Sequence, residues 1–103
     1  MTLRQKQSKF TRMVALLLLH AEILGYEVTL GEAWRHPTRE GGHPRSLHKV
    51  RLAVDLNLFK DGRYLTATSA HRPLGEYWEL IGGTWGGRFK DGNHYSLAHG
   101  GMK

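Results

Sequence analysis

The stretch Leu52-Ala53-Val54-Asp55-Leu56-Asn57-Leu58-Phe59 alternates with period two. That period specifies a β-strand whose two faces differ in character. Leu52, Val54, Leu56 and Leu58 share the apolar face, which must be core. Ala53, Asp55 and Asn57 share the other, so an aspartate stands in mid-strand, seven residues after His48. Aspartate is a poor strand former. Its face either meets solvent or lines a site.

The remaining segments organise around this strand. Residues 8–24 carry Phe10, Met13, Val14, Leu17, Leu18, Ala21 and Leu24 at helical spacing, with Ser8 placed to cap and Gly25 to stop a helix. Residues 26–35 are rich in β-formers and read as a strand. Residues 36–46 hold two prolines and two glycines and read as a loop. Lys60-Asp61-Gly62 predicts a hairpin turn into a partner strand. Residues 72–83 predict a short helix with Pro73 in its first turn, and His71 just before it is expected to cap or solvate its start. A glycine-rich loop over 84–93 leads to a last strand at 94–97, and the tail 98–103 is expected to fray. The pattern is α+β: a small antiparallel sheet with helices packed on one side. At 103 residues the chain is expected to form a single domain, 1–103.

Composition narrows the function. With no cysteine, disulfide scaffolds and cysteine zinc fingers are excluded, so any metal site must use histidine and carboxylate. The formal charge of +6 favours an anionic partner. The basic residues are scattered rather than gathered on one stripe, which speaks against a specific nucleic-acid binder. The basic start followed by Met13–Leu19 has the outline of a signal peptide. The apolar run is short, however, and His20 and Glu22 follow at once, so the segment is read as the first helix of the domain, with no membrane span.

Of seven histidines, His20, His36, His43, His71 and His99 lack clustered partners and are expected to bind no metal. His48, Asp55 and His94 offer two imidazoles and one carboxylate. This is the ligand set of an open catalytic zinc site with water in the fourth position. Two nitrogen ligands disfavour magnesium and calcium. The helical zinc signature His-Glu-x-x-His is absent. Taken alone, Asp55 reads better as a solvent-facing strand residue; its partners are what make it a candidate ligand. Asp91 is also two-valued. Lys-Asp-Gly occurs at 60–62 and again at 90–92, but only the second copy leads to a histidine, His94. Asp91 is therefore either a turn residue like Asp61, or an acid/base that takes a proton from the attacking water and returns it to the leaving amine.

In order along the chain, Ser46-x-His48, Ala53-x-Asp55 and Asp91-x-x-His94 resemble the pattern of the M15 family of zinc peptidases. That family contains D-alanyl-D-alanine carboxypeptidases and dipeptidases, and phage L-alanyl-D-glutamate endolysins. The segment Gly31–Pro37 and the Trp-Gly-Gly at 85–87 extend the resemblance, which runs from about Gly25 to Leu97. It implies that zinc is held by His48, Asp55 and His94, that Asp91 is the acid/base, and that Arg35 contacts substrate or steadies the reacting carbonyl. It places Ser46 and Trp85 at the substrate as well. Arg51 stands where many members have glycine, Tyr95-Ser96 where others have an aromatic-acid pair, and Asp91 where the carboxypeptidase branch has glutamate. The aspartate, the short chain and the lack of an export signal favour the phage-endolysin branch. On that reading the enzyme cuts L-Ala–D-Glu in the peptidoglycan stem peptide. It would be made in the host cytoplasm without a signal peptide and act at the wall after release, drawn there by anionic wall polymers. The alternatives are D-Ala–D-Ala carboxypeptidase activity from the same site, or a non-catalytic wall-binding protein on the same fold.

Overall fold

A computed structural model describes residues 1–39 and 43–103. Helix α1 spans Leu3–Ile23. It begins before Ser8 because Thr2 caps it. The Thr2 hydroxyl accepts the Gln5 N–H and the Gln5 side chain accepts the Thr2 N–H, so two otherwise unpaired donors are satisfied at once. Its inner stripe is Phe10, Met13, Leu17 and Ala21.

The chain then forms β1 (Glu27–Leu30), shorter than its composition suggests, and β2 (Ala53–Lys60). Asp61 and Gly62 both adopt left-handed backbone, φ 52° and 77°. That matches the tight turn an Asp-Gly pair favours between twisted strands, and it delivers β3 (Arg63–Leu65) against the end of β2. Helix α2 spans Arg72–Leu80 with Pro73 in its first turn. Strands β4 (Thr84–Trp85) and β5 (His94–Ser96) complete an antiparallel sheet in the order β1-β2-β5-β4. Short 3-10 turns occupy Leu47–Val50, Thr68–His71 and Gly86–Phe89. The third of these gives order to part of the expected loop over 84–93. Of the expected loop over 36–46, residues 40–42 lie outside the described residues.

Val54, Leu56 and Leu58 of β2 are buried while Asp55, Asn57 and Phe59 on its other face are partly open, as the alternation requires. The apolar face meets both helices in one core. Phe10 of α1 packs edge-on against Trp78 of α2, and Trp78 in turn against Tyr95 of β5. Trp78 Nε1 donates to the Ser96 carbonyl, which fixes α2 on the sheet. Among the described residues no helix is long and apolar enough to cross a membrane.

Two expectations are corrected. His71 does not cap α2 through its side chain; it is buried, with Nδ1 2.8 Å from the Tyr95 hydroxyl. The tail does not fray. His99 and Met102 exchange backbone hydrogen bonds at 3.0 and 2.9 Å across Gly100 and Gly101. Lys6 Nζ donates to the Ala98 carbonyl at 3.1 Å, and Arg45 donates to the Gly100 carbonyl. Two cations from distant segments thus staple it.

Candidate metal centre

Antiparallel pairing of β2 with β5 sets Asp55 directly opposite His94. Opposed residues on one sheet face are near neighbours. His48 arrives from the 3-10 turn Leu47–Val50. Ser46 starts this turn, its hydroxyl accepting the His48 N–H at 3.3 Å, and Arg51 ends it in left-handed backbone, φ 57°. The segment before the loop is laced to two of the three ligand-bearing elements, β2 and the turn Leu47–Val50. Asp55 N–H donates to Glu32 O at 2.9 Å, and Arg35 N–H to His48 O at 3.0 Å.

These constraints bring His48 Nε2 to 3.4 Å and His94 Nδ1 to 3.6 Å from Asp55 Oδ1. One such atom from each residue lies within 4.8 Å of the others. Both separations exceed the ~2.7–3.2 Å of a good N–H···O bond. They sit close to ~3.3 Å, the edge of a tetrahedron with zinc–nitrogen and zinc–oxygen bonds. Both histidines are buried, and their opposite nitrogens, His48 Nδ1 and His94 Nε2, have no hydrogen-bond partner among the described residues. A buried unsatisfied polar atom costs about 1–3 kcal/mol. The rings turn their other nitrogens to the carboxylate oxygen at a spacing longer than a good hydrogen bond. A shared cation accounts for that orientation, and a nitrogen–nitrogen–oxygen donor set suits zinc. Burial alone would raise the Asp55 carboxyl, but the two imidazoles outweigh it and hold it at about 2. The residues present fit the metal.

The three side chains floor an open cleft of about 250 Å3 whose walls include Arg35, Ser46, Phe89, Asp91 and Met102. Asp91 is half-exposed, with Oδ2 3.8 Å from His94 Nδ1. Its backbone is not that of Asp61. In the second Lys-Asp-Gly it is Lys90 that takes the left-handed conformation, φ 63°, closing the 3-10 turn, while Asp91 N–H donates to Gly86 O at 2.8 Å. The identical tripeptides are different turns. Gly86 makes this closure possible, because a Cβ there would stand 2.1 Å from Asp91 O and 2.7 Å from His94 Cβ.

The other expected site residues divide. Arg35 lines the cleft. Ser46 borders it too, but its hydroxyl serves the turn that presents His48. Trp85 is not brought into the cleft. It is buried in the core, and its Nε1 donates to Gly92 O at 2.7 Å, bracing the loop that carries Asp91. An indole in a Gly-rich segment gives no sign, from sequence, of which way it faces. Sequence reasoning misses several neighbours of the site: His43, expected to bind no metal, borders the cleft, as do Phe89 and Met102, and Glu32 pairs with Arg35 Nε at 2.5 Å. Only Glu32 left a trace, as an acid three residues before the arginine.

A family model described as D-alanyl-D-alanine carboxypeptidase, of the M15 peptidases, matches residues 39–97. The match takes in all three candidate ligands and Asp91, and leaves out α1 and Arg35. No curated protein gives a significant match.

Proposed function

Because the chain belongs to the M15 peptidase family, whose members act on peptidoglycan peptides, we propose that it is a zinc-dependent endopeptidase of the stem peptide, cutting L-Ala–D-Glu as phage endolysins do. The observation that carries this reading is the convergence of His48 Nε2, Asp55 Oδ1 and His94 Nδ1 in a cleft that also receives a carboxylate and a guanidinium. Zinc held by those three residues would supply Lewis-acid activation of the attacking water and of the scissile carbonyl. Asp91 accepts a proton from the water at Oδ2 and returns it to the leaving amine as the C–O bond forms and the C–N bond breaks. Arg35 donates from its terminal nitrogens to the developing oxyanion or to a substrate carboxylate. Ser46 acts through His48, by fixing the turn that presents it.

The family description favours a second reading, removal of the terminal D-alanine. Asp91, in place of the glutamate of that branch, supports the endopeptidase instead. Mass spectrometry of peptidoglycan digested by the zinc-loaded chain decides between them. A new amino-terminal D-Glu is the expected product. Free D-alanine would establish the carboxypeptidase, and unchanged peptidoglycan would favour a wall-binding protein.

A further inference from the structure

Arg35 lines the cleft, yet it lies on none of the three elements that carry the candidate ligands, the turn Leu47–Val50, β2 and β5. The short strand β1 ends at Leu30, so regular structure does not fix the arginine side chain. A free arginine has many rotamers, and ordering it costs conformational entropy. Something must hold it if it is to meet substrate in one geometry.

Glu32 is placed to do so. Its carbonyl accepts the Asp55 N–H, which anchors its backbone to the strand that bears a candidate ligand. Its carboxylate Oε1 accepts from Arg35 Nε, and Oε2 lies 3.7 Å from Arg39. Both paired side chains are partly withdrawn from solvent, at 16% and 24% exposure. The guanidinium is gripped at Nε. Its two terminal nitrogens make no hydrogen bond among the described residues. An arginine held through its inner nitrogen presents its outer fork to a carboxylate or an oxyanion. Glu32 itself is absent from the lining of the cleft.

We propose that Glu32 is a positioning residue of this site: it holds Arg35 by Nε against the strand that carries Asp55, and so leaves the terminal guanidinium nitrogens directed at the substrate. The proposal rests on the reading of Arg35 as the substrate-contacting arginine. Misplacing a group at the reacting centre by about 1 Å costs up to ~100-fold in rate.

The test compares Glu32→Ala, Glu32→Gln, Arg35→Ala and the double alanine variant in the zinc-loaded full chain, on soluble muropeptides from digested peptidoglycan. Glu32→Ala is expected to lower kcat by about 10- to 100-fold with a smaller change in KM. Glu32→Gln should recover most of the rate, because its amide oxygen still accepts from Nε. The double variant should be no slower than Arg35→Ala. A Glu32→Ala loss that persists undiminished in the Arg35→Ala background overturns the proposal. So does a Glu32→Ala enzyme with parental kinetics beside a slow Arg35→Ala. If Arg35→Ala is itself silent, the reading of Arg35 fails and takes the proposal with it. An arm independent of turnover follows exchange of the Arg35 Nε proton by NMR. Slow exchange is expected in the parent and in Glu32→Gln, and fast exchange in Glu32→Ala. Equally fast exchange in the parent would overturn the proposal even for a chain that cuts nothing.

Discussion

Asp61 and Asp91 share a tripeptide and little else. Asp61 takes left-handed backbone in a hairpin, where asparagine serves equally well. Asp91 has no such backbone demand, and its carboxylate stands open beside His94. Asp91→Asn is therefore expected to keep its metal and its melting temperature but to cut peptidoglycan ~10²–10⁴-fold more slowly. Asp61→Asn, measured beside it in the same assay, should match the parent. Parental activity in both would move the proton-transfer role elsewhere. Arg51 gives a second test at this scale. It occupies left-handed backbone and stacks over Trp34 at 4.7 Å. Left-handed strain costs about 1–2 kcal/mol, and an exposed cation–π contact contributes about 0.5–1 kcal/mol. The two nearly cancel in Arg51→Gly, which is expected to shift the stability measured by urea denaturation by under ~1 kcal/mol. Arg51→Ala keeps the strain and loses the contact, so it should be the less stable of the two.

At the scale of elements, β2 was legible because its alternation is continuous, and the hairpin after it because Asp-Gly suits a tight turn. Both rest on local rules. The tail was not legible. His99-Gly100-Gly101-Met102 reads as fraying until Lys6 and Arg45, both distant in sequence, close on it. The ligand set could be guessed from residue types, but its assembly depends on the Asp55–His94 register. Glu32 acts through a contact outside any helix, where spacing carries no geometric meaning. His71 shows the same dependence on tertiary context. It joins the turn before α2 to β5 through the Tyr95 hydroxyl, and burial lowers its pKa from the usual value near 6.5. The folded state therefore resists protonating it while the unfolded chain does not. Where the unfolded chain binds more protons, stability rises with pH. The stability this group contributes is thus present above about pH 6.5 and is lost as pH falls below that value toward the folded pKa. Thermal melts between pH 7 and 5 should fall less steeply for His71→Phe than for the parent, though the variant is less stable at pH 7 for want of the Tyr95 partner. Parallel slopes would contradict this role.

The whole molecule extends beyond the family match at its N-terminal side. Phe10, Met13, Leu17 and Ala21 of α1 lie in the same core as Leu56, Leu74 and Trp78, which leads us to propose one cooperative domain over 1–103. Burying an apolar side chain contributes about 1.5–3 kcal/mol. Loss of α1 would therefore remove at least ~5 kcal/mol, comparable to the total stability of a small domain. A chain beginning at Gly25 is expected to show no cooperative thermal transition; a sharp melt would mean that α1 is an appendage. The same core holds β2 against β5, and so holds the three candidate ligands together. The most direct test of that centre is metal content. Purified chain equilibrated with zinc and freed of excess should carry about one zinc per chain. His48→Ala and His94→Ala should carry little, with their secondary structure intact by circular dichroism. Stoichiometric zinc in both variants would contradict the account.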